Sequence, residues 1–347
     1  MKKLILLIFL ILLITFFLSG KVLFTFEDIL NPNQLIVSEG KIYIVQDATL
    51  YTYSVRNGKL LFKFGKKGEG PGEFNINPSF DMTLGARIHS EYIFLFDTGK
   101  ICKTDHNGKV ISEKKIPFYS MNTASIGNNF IAKKYEQKGN QPSYSVTLLN
   151  TNLQPLSVIK TQVFNYSPGI FEPITDYLDF RTYGDKIYLL SGGKEIKISV
   201  LNSLGVKLRN LKFEIEPISI TEKHKSLTIA YLKEKTWYKM IPAEYKKKVV
   251  YPKFLPACKS FMVSNGKIYI HTFNKLNDKT EFLIVSVPDK SVKSIFLPVS
   301  DLNILEYKPY SINNNKFFHL KENKNDIMEL HVEEFVPNYK NIKIKGE

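Results

Sequence analysis

The chain has 347 residues, and its 44% hydrophobic and 23% charged residues are typical of a globular protein, which excludes a disordered or fibrous one. Its formal charge of +15 suggests an anionic partner, but arginine is rare among its 48 basic residues. The only arginines are Arg56, Arg87, Arg181 and Arg209. Nucleic-acid recognition favours the planar fork of arginine, and the lysines are spread along the chain. We therefore interpret the charge as solvated surface and expect no nucleic-acid partner.

The N-terminus has the plan of a secretory signal peptide. Two lysines follow Met1, an apolar run extends over 4–18, and the small residues Ser19 and Gly20 come next. A helix over this run would span only about 22 Å, less than the roughly 30 Å of a bilayer core. We therefore predict a signal peptide at 1–20 and an exported protein, periplasmic or extracellular. The alternative is a retained segment that tethers the protein to a membrane.

One short phrase occurs six times in the rest of the chain. It consists of a polar turn, usually with Gly or Asn, and then an aromatic and β-branched run, which is typical of a buried strand. The copies are 39–45, 90–96, 128–132, 184–190, 265–270 and 315–320. Two further strand-like segments follow most copies, and the clearest hairpin signals between them are Asn57-Gly58 and Asn107-Gly108, where both turn residues are expected to take positive φ. Four-stranded units at this spacing predict an all-β, six-bladed β-propeller, in a single domain over 22–340.

The two ends of the chain indicate how the ring closes. The segment 22–26 forms a strand before the first unit. The sixth unit has strand-like segments at 317–321 and 327–335 and is then followed only by a polar, Lys-rich tail. We predict that 22–26 completes the last blade, which removes an open sheet edge.

One segment interrupts the strand pattern. From 221 to 248 the period of two is lost, and Thr221 fits the N-cap of a helix. The residues spaced as one face of that helix are Leu227, Ala230, Tyr231 and Glu234. Pro242 favours the start of a second short helical stretch at 243–249. We predict a small helical insertion, about 219–250, between blades 4 and 5.

The segment from Gly65 to Phe74 reads GKKGEGPGEF and resembles the GxxGxGPGEF phrase of bacterial exported six-bladed propellers of the NHL-like and TolB-like group. The resemblance covers most of 30–335 and implies the same fold, export and a mid-chain helical insertion. The later blades lack a second copy, so a regular NHL array is not supported. The segment lacks the Gly-Lys-Ser/Thr ending of a phosphate-binding loop. We therefore predict a structural loop that Phe74 anchors in the core.

The sequence contains no local catalytic or metal-binding motif. The six histidines have no HxH, HExxH or HxxxH spacing, a GxSxG elbow is absent, and neither Cys102 nor Cys258 lies in a CxxC. Several carboxylates lie near strand ends, namely Asp81, Asp97, Asp176 and Asp179. Asp97 and Asp185 are better explained as turn residues. We expect no catalytic residue, metal or cofactor, and we favour two separate buried thiols over a disulfide.

The insertion is the best candidate for a ligand-binding surface, because aromatic anchors dominate binding energetics and loops on rigid scaffolds carry function. The candidate ligand-binding residues are Trp237, Tyr238, Tyr245 and Tyr251. The alternative is that these rings pin the insertion onto the propeller. We expect a monomeric binding or scaffolding propeller that engages a protein, peptide or glycan without catalysis. The alternative function is a metal-dependent lyase or hydrolase with its site at the central channel.

Overall fold

The computed structural model describes residues 20–77, 82–138, 141–164, 169–193, 195–299, 303–340, 342 and 344–346. Residues 1–19 of the predicted signal peptide and Asp81 lie outside this part of the chain. In chain order the described strands are β1 Lys21–Phe26, β2 Gln34–Ser38, β3 Lys41–Gln46, β4 Thr49–Ser54, β5 Leu60–Phe64, β6 Lys66–Lys67, β7 Glu73–Phe74, β8 Gly85–Ile88, β9 Ile93–Phe96, β10 Lys100–Thr104, β11 Val110–Lys115, β12 Ser120–Ile126, β13 Asn129–Lys138, β14 Gln141–Leu149, β15 Pro155–Val163, β16 Ile170–Phe171, β17 Tyr177–Tyr183, β18 Lys186–Gly192, β19 Glu195–Asn202, β20 Lys207–Glu214, β21 Lys248–Val249, β22 Ser260–Ser264, β23 Lys267–Leu276, β24 Lys279–Ser286, β25 Ser291–Leu297, β26 Tyr310–Asn313, β27 Lys316–Glu322, β28 Met328–Glu334, β29 Asn338–Tyr339 and β30 Lys345–Gly346.

These strands form six antiparallel blades around a central channel. From the channel outward, blades 1 to 5 contain β2–β5, β8–β11, β12–β15, β17–β20 and β22–β25, and blade 6 has the order β26, β27, β28, β1. The predicted all-β, six-bladed propeller is therefore confirmed.

The repeated phrase forms the second strand of each blade. In β3, for example, the residues from Ile42 to Val45 are all buried, since a strand inside a blade is covered by the neighbouring blades on both faces. The outer strands β5, β11 and β15 are mostly exposed. This gradient explains why a continuous apolar run marks each blade in the sequence.

Apolar side chains fill the wedge between each pair of neighbouring blades. Phe94 and Phe130 meet between blades 2 and 3, with ring centroids 6.1 Å apart. Phe282 and Phe317 meet in the same way between blades 5 and 6, at 6.0 Å. The blades are thus held to one another by dispersion and by burial of apolar surface.

The hairpin turns at the two Asn-Gly pairs differ from the expected geometry. Gly58 and Gly108 have φ of 67° and 85°, whereas neither Asn57 nor Asn107 has positive φ. In blade 2 the Gly108 amide donates to Asp105 O at 3.2 Å, and the register shifts at the end of β10. These loops are longer than two residues, and a bulge at the glycine restores the strand pairing.

The N-terminal strand closes the ring as predicted. β1 pairs antiparallel with β28, with Thr25 opposite Glu329 and Phe26 opposite Met328. It is the outermost strand of blade 6, whose other three strands come from the C-terminal end of the chain. Blade 6 is therefore built from both ends of the described chain.

The C-terminal tail was expected to be only polar, but it also pairs with two blades. β29 adds a fifth strand to blade 5, and β30 adds a fifth strand to blade 4. Ile342 and Ile344 pack against the core between these blades, and Lys340 forms an ion pair with the buried Glu281. In the sequence, the alternation of isoleucine with polar residues over 341–345 was the signal that this part of the tail packs against a sheet.

The insertion between β20 and β22 is helical, as predicted, and contains α1 Glu222–Glu234, α2 Thr236–Met240 and a 3₁₀ turn over Ala243–Lys246. Thr221 is the N-cap of α1: its Oγ1 accepts from His224 N at 3.3 Å, and His224 Nδ1 accepts from Thr221 N at 3.2 Å. No helix among the described residues is long and apolar enough to cross a membrane.

The buried side of α1 differs from the predicted face. Thr228 and Leu232 are buried, whereas Ala230 is exposed. Burial of Thr228 is tolerated because its hydroxyl donates to His224 O at 2.7 Å inside the helix. The second helical stretch is shorter than predicted, because β21 follows it and pairs in parallel with β16.

Candidate functional site

One end of the ring carries the long connections between blades. The innermost strands, β2, β8, β12, β17, β22 and β26, all begin at this end, and each connection from an outer strand to the next inner strand reaches it. We call it the insertion face, because the helical insertion joins β20 to β22 there. Two features of this face have the geometry of binding sites: a groove beside blade 3 and the mouth of the channel.

The groove lies between blades 3 and 4 and continues under the insertion. It consists of two cavities of about 690 and 890 Å³ that share Gln162, Asp176 and Phe254. The outer part is lined by residues that include Lys160, Thr161, Glu195, Lys197 and Glu214. The inner part is lined by residues that include Phe164, Phe171, Ile241, Tyr245 and Phe254. We call the two parts together the blade 3–4 groove.

The outer strand of blade 3 forms one wall of this groove. Three consecutive residues of β15, 160–162, line the outer cavity. Successive side chains of a strand point to opposite faces, so the groove reaches the backbone edge of β15. Among the described strands, β15 pairs only with β14, whereas the outer strands β20 and β25 each carry a further strand. The exposed edge also carries exposed apolar side chains, including Val158 and Val163.

The four aromatic residues singled out in the sequence have different positions. Tyr238 is 8% exposed and packs edge-on against Phe171, with ring centroids 5.3 Å apart. Trp237 is half-buried and lies edge-on to Tyr238, and the Tyr251 hydroxyl donates to Lys225 O at 3.3 Å.

These contacts fit the alternative in which the rings fasten the insertion to the propeller. Of the four, Tyr245 alone lines the groove, and it is 40% exposed. The assignment of all four as ligand-binding residues stays a prediction.

The mouth of the channel contains a chain of hydrogen-bonded polar side chains from three blades. Arg87 Nη2 of blade 2 donates to Asn122 Oδ1 of blade 3 at 2.7 Å. Asn122 Nδ2 donates to Asp179 Oδ1 of blade 4 at 2.8 Å, and Arg181 Nη1 donates to Asp179 Oδ2 at 2.6 Å. All four side chains line a cavity of about 330 Å³.

The electrostatics of the channel mouth depend on Asp179. Burial alone would raise the pKa of its carboxyl, but the charges of Arg181 and Lys133 and the hydrogen bond from Asn122 lower this pKa to about 2. Burial, together with the nearby charge of Arg181, lowers the pKa of Arg87 to about 10. Both guanidinium groups remain charged at neutral pH, and they share this cavity with two aspartates, Asp179 and Asp97.

Sequence reasoning did not identify the two arginines as site residues. The signal was present, because two of the four arginines in a lysine-rich chain lie on innermost strands, just before a copy of the repeated phrase. Asp179 was noted only as a carboxylate near a strand end.

Asp97 and the glycine-rich loop have structural roles. Asp97 Oδ1 accepts from Gly99 N and Lys100 N at 2.7 and 2.6 Å, which confirms it as a turn residue. Its Oδ2 accepts from Asn75 N at 2.7 Å, directly after the loop. Phe74 is fully buried in the core between blades 1 and 2, as predicted.

The histidines and cysteines do not form a cluster of three or more among the described residues. His319 and His331 are cross-strand neighbours in blade 6, with ring centroids 5.2 Å apart. Within the described residues no group of three or more His, Cys, Asp or Glu side chains is placed to hold a metal ion. Cys102 and Cys258 are both buried and free, as favoured from the sequence.

Comparison with known proteins yields low similarity. No protein-family model and no curated protein matches the sequence. A protein of unknown function from Bacteroides caccae is 13% identical, with a TM-score of 0.40 over 78% of this chain and 83% of that chain. The Pan2 WD40 domain of Neurospora crassa is 8% identical, with a TM-score of 0.41 over 89% and 91% of the two chains. BamB from Moraxella catarrhalis is 8% identical, with a TM-score of 0.29 over 86% and 71%. At these scores the likenesses carry no argument, and the six-bladed fold rests on the strand pairing.

Proposed function

We propose that this protein is a non-catalytic binding propeller that takes up an extended polypeptide segment of a partner protein in the blade 3–4 groove. The observation that carries the proposal is the position of β15 beside this groove, with no second neighbour among the described strands. The N–H and C=O groups of such an edge can pair with an added strand, and adjacent side-chain pockets then supply specificity.

The C-terminal tail supports this mode of binding. It pairs with the outer edge of blade 5 through Asn338 and Tyr339, and with the outer edge of blade 4 through Lys345 and Gly346. The partner segment takes on blade 3 the position that the tail takes on the next two blades. The outer edges of this propeller therefore accept added strands within the chain itself.

The inner part of the groove supports an occupant with apolar side chains. Phe171, Ile241 and Phe254 line a cavity of about 890 Å³, which is within the size range of ligand pockets in proteins. Tyr245 lies on its exposed rim. Residues that follow the added strand can bury one or more apolar side chains here, and such anchors supply most of the free energy of binding.

The proposal includes an extracytoplasmic location, supported by the charged, apolar and small-residue order of 1–20. The mature protein is a monomer that meets its partner after export. Intact-mass measurement of protein purified from the cell envelope tests this part. A mass that lacks about the first 20 residues supports export with cleavage, whereas the mass of the full chain contradicts cleavage and leaves the tethered alternative.

Selection of peptides from a random library on the immobilised protein tests the binding mode. We expect sequences rich in β-branched and aromatic residues. Tyr245→Ala should weaken the binding of a selected peptide, measured by fluorescence anisotropy, by about tenfold. Tyr183→Ala is the matched control, because Tyr183 is 41% exposed and Tyr245 is 40% exposed. Tyr183 lies at the end of β17 that is away from the insertion face and the groove.

Two results would count against the groove. One is a selection that enriches no peptide. The other is a set of selected peptides whose affinity falls equally in Tyr245→Ala and Tyr183→Ala.

A further inference from the structure

A second site lies in the mouth of the channel, apart from the groove. We infer that Arg87 and Arg181 bind the carboxylate of a small ligand in the cavity that they line together with Asn122 and Asp179. This cavity measures about 330 Å³ and opens at the insertion face. The inference does not depend on the groove.

The hydrogen bonds of Asp179 leave Arg87 without a carboxylate as a hydrogen-bond partner in the described part of the chain. Asp179 Oδ2 accepts from Arg181, and its Oδ1 accepts from Asn122 and from Phe180 N at 2.9 Å. Arg87 donates only to neutral acceptors among the described residues, namely Asn122 Oδ1 and Ala86 O. A partly buried guanidinium with no carboxylate hydrogen-bonded to it still has donors to satisfy, so an anionic ligand would complete the site.

Arg87 also has hydrogen bonds left to form. A guanidinium carries five N–H groups, and Nη1 and Nη2 of Arg87 each donate once. Its Nε is buried and has no partner among the described residues. Asn122 holds the guanidinium in a fixed orientation from blade 3, and the Arg87 side chain lies over the Phe96 ring at 5.2 Å. The donors are therefore pre-positioned, which lowers the entropic cost of binding.

The surroundings favour a carboxylate over a phosphate. The planar guanidinium fork matches the two oxygens of a carboxylate. Asp179 and Asp97 line the same cavity, and their negative charges oppose a dianion more strongly than a monoanion. The cavity volume is near the lower limit for ligand pockets, and Phe96 and Tyr307 line its walls. A small organic acid or the C-terminal residue of a peptide fits this description.

Calorimetric titration of the purified full chain tests the inference. The probes are propionate, benzoate, trialanine, trialanine amide and inorganic phosphate, each at the same ionic strength set with sodium chloride. We expect at least one carboxylate probe to bind the wild type. Arg87→Gln should weaken this binding by about tenfold or more. Arg209→Gln is the matched control, since it removes the same charge from an exposed position on β20, and it should bind like the wild type.

The source of the carboxylate follows from which probe binds. Binding of trialanine but not of its amide identifies a peptide C-terminus, whereas binding of propionate or benzoate identifies a free acid. If Arg87→Gln does not fold, Arg87→Lys gives the same readout, because it keeps the charge and loses the fork.

The inference is overturned if no carboxylate binds, if phosphate binds more tightly than every carboxylate, or if the arginine variant binds like the wild type. Tyr245→Ala should leave carboxylate affinity unchanged. Failure here is therefore distinguishable from failure of the peptide groove.

Discussion

Phe26 pairs with Met328, so the first strand of the described chain pairs with β28 in blade 6. The Phe26 ring also lies 4.5 Å from that of Tyr53 in blade 1, measured between centroids, and Phe26 is 3% exposed. One residue thus joins the closing strand to blade 6 and to blade 1. Because β1 covers the edge of β28, we expect the stability of the whole ring to depend on this contact.

Truncation of the closing contact should destabilise the protein strongly. Phe26→Ala removes a buried ring and should lower the free energy of unfolding by about 3–5 kcal/mol. Val22→Ala changes the same strand at a side chain that is 43% exposed, and should cost less than about 1 kcal/mol. Urea-induced unfolding followed by circular dichroism measures both. Equal losses in the two variants would show that β1 does not close the ring.

The Arg181–Asp179 pair should be worth more than a surface ion pair. The two side chains are 25% and 18% exposed, so Arg181→Met leaves a carboxylate with little solvent and should cost about 3 kcal/mol. Lys212→Met breaks the pair with Glu195, in which Lys212 is 46% exposed, and should cost less than about 1 kcal/mol. The double variant Asp179→Asn with Arg181→Met should be more stable than Arg181→Met alone. Thermal and urea unfolding of the three variants measures these differences. The expectation is contradicted if the double variant is the least stable of the three.

Buried His271 should make the protein less stable in acid. It is 1% exposed and stacks on Phe282 with ring centroids 4.7 Å apart. Burial, and then the charges of Lys259 and Lys275, lower its pKa from 6.5 to about 3. Between these values the unfolded chain binds a proton that the folded chain does not, so stability falls as pH drops through this window.

Replacement of His271 by phenylalanine removes this proton and keeps a ring at the position. Relative to the wild type, His271→Phe should gain about 3 kcal/mol between roughly pH 7 and pH 4. Denaturant unfolding at several pH values measures the gain. Curves of the two proteins that stay parallel over this range would be inconsistent with a neutral, buried His271.

The two cysteines should behave as inaccessible thiols. Burial raises the pKa of Cys102 to about 12 and also raises that of Cys258. Because the thiolate is the reactive form, both should react slowly with a disulfide reagent in the folded protein. In concentrated guanidinium chloride without reductant, both thiols should react at once. If no thiol is titrated after denaturation, the cysteines are paired.

The six-blade repeat was predictable because each blade contains a copy of the same local sequence pattern. A strand covered on both faces requires a continuous apolar run. β3 shows such a run, and the second strand of each other blade contains a copy of the same phrase. The strand at 22–26 had no partner in the first unit, and the sixth unit lacked a strand. Together they indicated the closure of blade 6.

The sites were less predictable, since they depend on which strands meet at the channel. Arg87, Asn122 and Asp179 come from three blades, and no spacing along the chain relates them. Similarly, the packing of Tyr238 on Phe171 depends on the parallel pairing of β16 with β21, two strands of two residues each. Such short pairs have no pattern that a sequence window can detect.

A crystal structure of the protein with a selected peptide bound would test the peptide-binding proposal. We expect an extended peptide that forms backbone hydrogen bonds to the outer edge of β15 and places an apolar side chain between Phe171, Ile241 and Tyr245. A peptide bound at the opposite end of the ring, or on the insertion without contact to β15, would contradict it.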